Sequence, residues 1–273
     1  MSKHTRPGVD PFTERTPRVA AARHLTRRAG RDKAGRFLAE GAQAAREALR
    51  FGRVHELFVT VAAAERNPEL VADAEDRGVP VSVITDKAAA GLSETVTPQG
   101  VVAVCDLLDQ PLATALDGTP RLVAVLVGVT DPGNAGTVTR VADAAGADAV
   151  LFAGDTVDPH NGKAVRASTG SLFHLPIARD RSVEAVLDAC RAAGLRLIAA
   201  DGYAPVDLDE AEDELVRPTA WVFGSEAHGL PDAVLAATDA VMRVPLYGRA
   251  ESLNLATAAA VCLYASARVQ RRR

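Results

Sequence analysis

The spacing of apolar residues changes several times along the chain, and each spacing predicts a different element. From Gly35, apolar residues recur at the spacing expected for one face of a helix: Phe37, Leu38, Ala42, Ala45, Ala48 and Leu49. The strand-like segment HELFVT (55–60) follows. A second helical stretch, PELVADAEDRG (68–78), leads to the apolar strands VPVSVI (79–84) and VVAVCD (101–106). We therefore expect a small α/β domain over residues 31–106.

After residue 120 the alternation becomes more regular. RLVAVLVGV (121–129) has the continuous apolar character of a buried strand, TVTRVADAAG (137–146) predicts a helix, and DAVLFA (148–153) predicts a strand. Further helices and strands alternate to the end of the chain. This order predicts a mainly parallel sheet with helices on both faces, within a second domain at 121–273. Two prolines and a glycine make 107–120 the predicted linker.

The first 30 residues lack such periodicity. They hold Pro7, Pro11 and Pro17 among Arg and Thr, with few large apolar side chains, so we expect a flexible basic arm at 1–30. Residues 1–53 carry 13 Lys and Arg against 5 Asp and Glu, whereas the remainder carries 18 against 30. Locally concentrated cations suit contact with phosphate, although a basic tail without a partner would have the same composition.

Length and composition indicate two globular domains, since 273 residues exceed one typical domain and 48% are hydrophobic. The amino-terminal residues lack the apolar core of a signal peptide, and the longest aliphatic run, Leu122 to Val129, is too short for a membrane helix. We expect a cytoplasmic protein without a membrane partner. Cys105, Cys190 and Cys262 are widely separated, which predicts small buried side chains rather than a disulfide or metal site.

Three loops of the second domain are candidates for chemistry, because ligands gather where parallel strands end and helices begin. The first is Asp131 to Gly136, followed by Arg140; the second is Gly224 to Leu230; the third is Val244 to Asn254. The first contains neither GxGxxG nor GxxxxGK, so a dinucleotide enzyme or a phosphate-loop nucleotidase has little support. The second is GSEAHG, which is not the GxSxG of a serine hydrolase.

Taken together, DPGNAGTVTRVADAAGADAV, FGSEAHGL and VPLYGRAESLNLATAAAV resemble, in order, the three signature motifs of SpoU/TrmH RNA 2'-O-methyltransferases of the SPOUT superfamily. The resemblance spans nearly all of residues 121–268. REALRFGRVHELFVT and TVTPQGVVAV also resemble the ribosomal-protein-like substrate-binding domain that often precedes this catalytic domain. Ala227 departs from the family pattern, which more usually has glycine there.

The resemblance implies an α/β fold whose carboxyl-terminal segment threads a trefoil knot, although knots are rare exceptions to topology rules. It implies that S-adenosylmethionine (SAM) is the cofactor and binds in the knot. The corresponding cofactor-binding positions in this sequence are Gly224, Val244 and Leu253. No metal is implied.

Five residues correspond to active-site positions of the family. Arg140 is the central catalytic candidate, and we expect it to bind RNA phosphate and to stabilise the developing 2'-alkoxide. Whether it also accepts the hydroxyl proton is left open, because a guanidinium is a poor base. Glu226 is expected to fix the loop or the RNA. Asn134 could instead cap a helix beginning near Gly136, and Ser252 could cap the last helix with Asn254 in support.

Arg166, Ser168 and Ser171 in VRASTGSLF also resemble the family and are candidates for positioning RNA.

The function implied is SAM-dependent methylation of a ribose 2'-OH in structured RNA by a homodimer. The extra amino-terminal domain favours rRNA over tRNA, and the 2'-OH requirement excludes DNA. Three alternatives remain: a tRNA 2'-O-methyltransferase, an RNA-binding protein that keeps the fold without catalysis, and a dehydrogenase with the same alternation.

Overall fold

The computed structural model describes residues 10–272, which form two compact units. The first unit comprises residues up to Leu108 together with His160–Phe173, and the second comprises Asp109–Pro159 with His174 onward. No helix among the described residues is both long and apolar enough to cross a membrane.

A four-stranded mixed sheet forms the centre of the first unit, with strand order β1-β4-β2-β3. The strands β1 and β2 are each antiparallel to β4, while β3 is parallel to β2. The elements in chain order are α1 (Pro17–Arg23), α2 (Arg28–Ala34), β1 (Arg36–Glu40), α3 (Ala42–Phe51), β2 (Val54–Thr60), α4 (Val61–Arg66), α5 (Pro68–Asp76), β3 (Val81–Ile84), α6 (Asp86–Gly91) and β4 (Val101–Asp106).

Two predictions for this unit are wrong. Phe37 and Leu38 lie on the strand β1 rather than in the helix, which begins only at Ala42. The predicted flexible arm is helical within 17–34, because Val19, Ala22 and Leu25 pack into the core of the unit. The substrate-binding domain predicted to start at residue 31 therefore includes these helices, while residues 1–9 of the predicted arm lie outside the described residues.

The second unit contains seven parallel strands in the order β7-β6-β5-β10-β8-β11-β9. Its elements in chain order are α7 (Leu112–Ala115), β5 (Leu122–Val127), α8 (Pro132–Ala145), β6 (Ala149–Ala153), β7 (Ile177–Asp180), α10 (Val183–Ala192), β8 (Arg196–Ala200), β9 (Val206–Asp207), α11 (Glu212–Leu215), β10 (Thr219–Phe223), α12 (Asp232–Ala236), β11 (Ala240–Arg243) and α13 (Leu255–Gln270). Between β6 and β7 the chain forms α9 (Gly162–Ser168), which belongs to the first unit.

The prediction of a parallel sheet covered on both faces is confirmed. Every residue of β5 and β10 is buried, as expected for central strands between two helical layers. One face packs against α10 through Val186, Leu187 and Cys190. On the other face α13 packs against α8, and the Trp221 indole N–H donates to the Ser266 hydroxyl over 2.9 Å.

The three cysteines are buried and free, as predicted. Burial raises the pKa of Cys190 and of Cys262 to about 12, and it raises that of Cys105 further. These thiols therefore stay protonated and behave as small apolar side chains.

The predicted linker and the predicted start of the second domain at residue 121 both need correction. Residues 109–120 belong to the second unit. There Ala115 and Leu116 are part of the hydrophobic core, and the backbone of Asp109 forms a parallel β-bridge with that of Ile177. Two prolines and a glycine mark turns around the short helix α7 rather than an extended connection.

The segment His160–Phe173, predicted as part of the second domain, packs within the first unit instead. The His160 ring lies 4.7 Å from that of Phe37, and its Nε2 accepts a hydrogen bond from the backbone N–H of Leu108. Arg166 donates to the buried Glu40 carboxylate over 2.8 Å. These contacts join residues far apart in sequence, so local patterns do not reveal them.

Glu40 accepts hydrogen bonds from three side chains. Besides Arg166, the hydroxyls of Ser93 and Thr95 donate to Oε1 over 2.5 and 3.1 Å. The Glu40 side chain is 5% exposed and that of Arg166 is 24% exposed. A carboxylate removed from water to this extent depends on its cationic partner.

Replacement of Arg166 by Met should lower the free energy of unfolding by about 3 kcal/mol, because it leaves the Glu40 carboxylate buried without its cation. Urea denaturation measures the change. Arg77→Met is the matched control, since Arg77 pairs with Asp73 on the surface and should contribute under about 1 kcal/mol. Equal losses in both variants would contradict the structural role of the Glu40–Arg166 pair.

Candidate active site

The three loops predicted to carry chemistry follow β5, β10 and β11. Because all seven strands are parallel, these loops lie at the same edge of the sheet. β5 is adjacent to β10, whereas β8 separates β10 from β11. The loop after β8 therefore lies between those after β10 and β11 at the carboxyl edge.

The first loop begins α8 earlier than predicted. The helix starts at Pro132, and the Asp131 carboxylate caps it by accepting from the backbone N–H of Gly133 over 3.0 Å. Asn134 therefore lies in the first turn, and the alternative role as a cap at Gly136 is wrong. Since Asp131 already provides the cap, the Asn134 side chain is available for other contacts.

The second loop closes into a tight turn. The backbone N–H of Gly229 donates to Ser225 O over 2.8 Å, and that of His228 donates to Ser225 Oγ over 3.2 Å. A Cβ on Gly224 would overlap the Gly229 backbone and lie 2.6 Å from Leu230 N, so this position requires glycine. The turn leaves Glu226 exposed.

One side-chain amide connects all three loops. Asn254 Nδ2 donates to Glu226 Oε1 over 2.8 Å and to Asn134 Oδ1 over 3.1 Å. Its Oδ1 accepts from the backbone N–H groups of Ala256 and Thr257 over 3.0 and 3.3 Å. The three predicted residues Asn134, Glu226 and Asn254 therefore form one polar cluster, which we call the amide cluster.

The cap of the last helix differs from the prediction. Asn254, rather than Ser252, is the N-cap of α13, and the backbone N–H of Leu255 donates to Glu226 Oε1 over 3.2 Å. Both residue types cap helices well, so the sequence SLN allowed either start. Ser252 is exposed, and among the described hydrogen bonds none joins it to the amide cluster.

Arg140 lies apart from the amide cluster. It is the ninth residue of α8, so it lies in the middle of the helix rather than near its start. Six residues separate it from Asn134, a rotation of about 240° around the helix, so the two side chains leave on different faces. Arg140 is exposed, and within residues 10–272 it has no ion-pair partner.

The predicted cofactor-binding residues lie at the ends of the second and third loops. Gly224 follows β10, Val244 follows β11, and Leu253 precedes α13. Between 244 and 253, no backbone–backbone hydrogen bond is present within the described part of the chain. Backbone donors and acceptors are thus available to a ligand, which fits a cofactor held through main-chain groups.

Acidic residues that the motifs did not predict lie near these loops. Asp201 follows β8, donates from its backbone N–H to Met242 O, and accepts from Tyr203 N. The loop after β11 is held by Asp207, which pairs with Arg243. Asp201 ends the apolar segment LRLIAAD, but local sequence carries no sign that β8 lies between β10 and β11.

A second contact holds the third loop, since the exposed Tyr247 hydroxyl donates to Asp209 Oδ2 over 2.6 Å. This hydrogen bond raises the pKa of Tyr247, and the Arg243 guanidinium lowers the pKa of Asp207. Both pairs are therefore formed at neutral pH. As the pH falls through the lowered pKa of Asp207, its pairing with Arg243 is lost.

The residues Arg166, Ser168 and Ser171 do not join the amide cluster. They lie in the segment that packs within the first unit, where Arg166 pairs with Glu40 and the Ser168 hydroxyl donates to Val165 O. A role for these three residues in positioning RNA stays a prediction.

Comparison with protein families gives two matches. Residues 121–264 match the SpoU rRNA Methylase family, and residues 16–103 match the MRM3-like substrate binding domain. The 23S rRNA (guanosine(2553)-2'-O)-methyltransferase RlmP of Bacillus subtilis is 38% identical over 238 residues, which cover 86% of this chain and 89% of that protein.

Solved structures agree with this assignment over nearly the full length. The AdoMet-bound rRNA methyltransferase from Sinorhizobium meliloti superposes with a TM-score of 0.81 at 32% identity, covering 95% of this chain and 97% of that chain. AviRb from Streptomyces viridochromogenes, a SpoU methyltransferase in complex with AdoMet, gives a TM-score of 0.81 at 29% identity, covering 94% and 100%.

Two substitutions of Asn254 should separate its capping role from its linking role. Asn254→Ala removes the cap and should cost about 1 kcal/mol in urea unfolding, whereas Asn254→Ser keeps a capping oxygen and most of that stability. Neither can donate to Glu226 and Asn134 together, so both should speed amide hydrogen exchange within 224–230. Exchange at the wild-type rate in the serine variant would refute the linking role.

The family matches confirm the predicted resemblance, and they extend the substrate-binding domain to residues predicted as a flexible arm. Methylase activity, with SAM as the cofactor, is confirmed at the level of the family. The chain is a member of the SpoU rRNA methylase family and carries an MRM3-like substrate-binding domain ahead of its methylase domain.

Proposed function

We propose that this protein transfers a methyl group from SAM to a ribose 2'-hydroxyl of ribosomal RNA in the cytoplasm. The observation that carries the proposal is the amide cluster, in which Asn134, Glu226 and Asn254 from the three family motifs are hydrogen-bonded together. RlmP, which is similar over 86% of this chain, is named as a 23S rRNA 2'-O-methyltransferase.

The substrate-binding domain supports rRNA as the substrate. The match to the MRM3-like domain covers residues 16–103, and the first part of it, residues 16–53, carries 10 Lys and Arg against 3 Asp and Glu. A ribose 2'-hydroxyl is required as the acceptor, so DNA is not a substrate.

SAM, when bound, would supply an electrophilic methyl group: in an in-line displacement the ribose 2'-oxygen would bond to the methyl carbon as the carbon–sulfur bond breaks, with S-adenosylhomocysteine as the leaving group and the hydroxyl proton released to solvent. Gly224, Val244 and Leu253 would hold the cofactor through their backbone groups. The amide cluster fixes the loops before and after these positions, so the protein contributes mainly by alignment of the two reacting atoms.

Arg140 acts on the RNA side of the reaction. Its guanidinium stays protonated at neutral pH, so it binds a phosphate of the RNA and stabilises negative charge developing on the 2'-oxygen. An exposed cation without an ion-pair partner in the described residues is free to make this contact.

The active form is a homodimer, in which a second copy completes each site. Thr257, Val261, Tyr264 and Arg268 form an exposed stripe along α13 at helical spacing, and Val261 and Tyr264 are 39% and 52% exposed. The inner side of α13 packs against α8. α8 carries both Asn134 and, on a different face, Arg140. A carboxyl-terminal knot, as the family resemblance implies, belongs to the same proposal.

Arg140→Ala should reduce methyl incorporation from labelled SAM into unmodified rRNA by at least about a hundredfold, because it removes charge stabilisation in the transition state. The product is mapped by cleavage sensitive to ribose methylation, with unmodified tRNA assayed beside it. Arg181→Ala, which removes an exposed arginine elsewhere in the second unit, should retain activity.

Calorimetric titration with SAM should give the same affinity for wild type and Arg140→Ala. Absence of methyl transfer to any RNA by the wild type, together with absence of SAM binding, would favour a non-catalytic RNA-binding protein.

Tyr264→Glu should shift the protein from dimer to monomer in light scattering at micromolar concentration, because it places a negative charge at the centre of the exposed stripe, beside Val261. Methyl transfer should fall together with dimer content. A wild-type protein that is monomeric and fully active would contradict the shared site.

A further inference from the structure

The basic residues near the amino terminus lie on a folded hairpin of two helices. α1 and α2 are joined by a single 3-10 turn at His24–Thr26. On the inner side, Val19, Ala22 and Leu25 pack with Leu38 and Phe58 of the first unit's sheet. We call residues 17–34 the basic hairpin.

Two contacts make the basic hairpin rigid. A Cβ on Gly30 would overlap the carbonyl oxygen of His24, so the two helices approach as closely as their backbones allow. Arg31 is only 3% exposed, and its guanidinium donates to the carbonyl oxygens of Leu25 and Thr26 over 3.0 and 3.1 Å. A buried cation is thus used to hold the turn.

The outer side of the hairpin carries uncompensated positive charge. Residues 15–36 contain eight Lys and Arg but a single acidic residue, Asp32. Arg23, Arg27 and Lys33 are exposed and have no ion-pair partner within residues 10–272. Arg28 pairs with Asp32 at 3.7 Å, where both side chains are about half exposed.

Arg18 within the hairpin, and two arginines that follow it in the chain, are paired. Arg18 contacts Glu56 at 2.7 Å, and Arg36 and Arg53 both approach Asp106, at 3.8 and 3.7 Å. The free charge is therefore concentrated at the turn and along α2.

We propose that the outer side of the basic hairpin is a preformed surface for the sugar-phosphate backbone of the RNA substrate, with Arg23, Arg27 and Lys33 as phosphate contacts. The proposal rests on the proposed function, since it assigns a surface to the same RNA. Phosphate contacts dominate RNA affinity and depend on local cations, and residues 54–273 are acidic overall.

Rigidity and composition both favour RNA phosphate as the partner. The hairpin is ordered before binding, so its arginines lose less conformational freedom than those of a flexible arm. Its outer side has none of the large exposed hydrophobic residues found among residues 10–272, which a membrane surface would require.

The test is the salt dependence of binding to in-vitro-transcribed 23S rRNA by the full-length protein. Arg23→Gln/Arg27→Gln should weaken binding at least about tenfold at about 0.1 M salt, and should lower the slope of log affinity against log salt by about 2. Arg181→Gln/Arg191→Gln, which removes two charges from the second unit, should leave the slope unchanged. An equal slope in wild type and the hairpin variant would overturn the proposal.

Gly30→Ala tests whether the surface is preformed, because it keeps every charge but disturbs the approach of the two helices. We expect weaker binding to the same rRNA, with SAM binding by calorimetry reporting that the second unit is intact. Wild-type affinity in this variant would overturn the preformed surface in favour of a flexible basic segment.

The proposed function is tested separately in these experiments. A wild type that methylates rRNA while both hairpin variants bind it normally would refute the surface alone; a wild type that neither binds nor methylates rRNA would refute the proposed function. Tighter binding of the wild type to anionic lipid vesicles than to rRNA would also overturn the proposal.

Discussion

The arrangement of the candidate active site depends on the side-chain amide of Asn254. An amide has two donor hydrogens and one acceptor oxygen, and here each donor meets a different loop while the oxygen caps α13. A carboxylate or a hydroxyl could cap the helix but could not donate to Glu226 and Asn134 at once. The residue therefore converts three separate loops into one cluster with a defined geometry.

The parallel sheet makes this possible, because it brings the ends of β5, β10 and β11 to the same edge. Each central strand is buried on both faces, which fixes its register and therefore the position of its loop. Gly224 adds a local constraint, since the turn that presents Glu226 tolerates no Cβ there. The position of the polar groups is therefore set both by the packing of the strands and by the backbone conformation of the turn at Gly224.

Much of this could be predicted from the sequence, and the failures have physical causes. The continuous apolar run of β5 and the helical periodicity of α10 are local signals, and both elements are present. The strand order is non-local, so the loop after β8 was missed. The packing of His160–Phe173 within the first unit also depends on distant partners, Phe37 and Glu40.

The basic hairpin illustrates a different limit. Its composition, rich in arginine and poor in large apolar residues, is typical of disordered segments, yet Val19, Ala22 and Leu25 pack it against the sheet of the first unit. For the site, the motifs identified Asn134, Glu226 and Asn254, but capping rules could not choose between Ser252 and Asn254 because both are good caps.

A double-mutant cycle between Glu226 and Asn254 tests most directly whether the loops act as one unit. Methyl transfer to rRNA would be measured for Glu226→Ala, Asn254→Ser and the double variant. Our account predicts strong non-additivity, with a coupling of about 1 kcal/mol or more in kcat/KM, because either change alone breaks the shared hydrogen bond. Additive losses would show that the two residues act independently and would contradict the central role of the Asn254 amide.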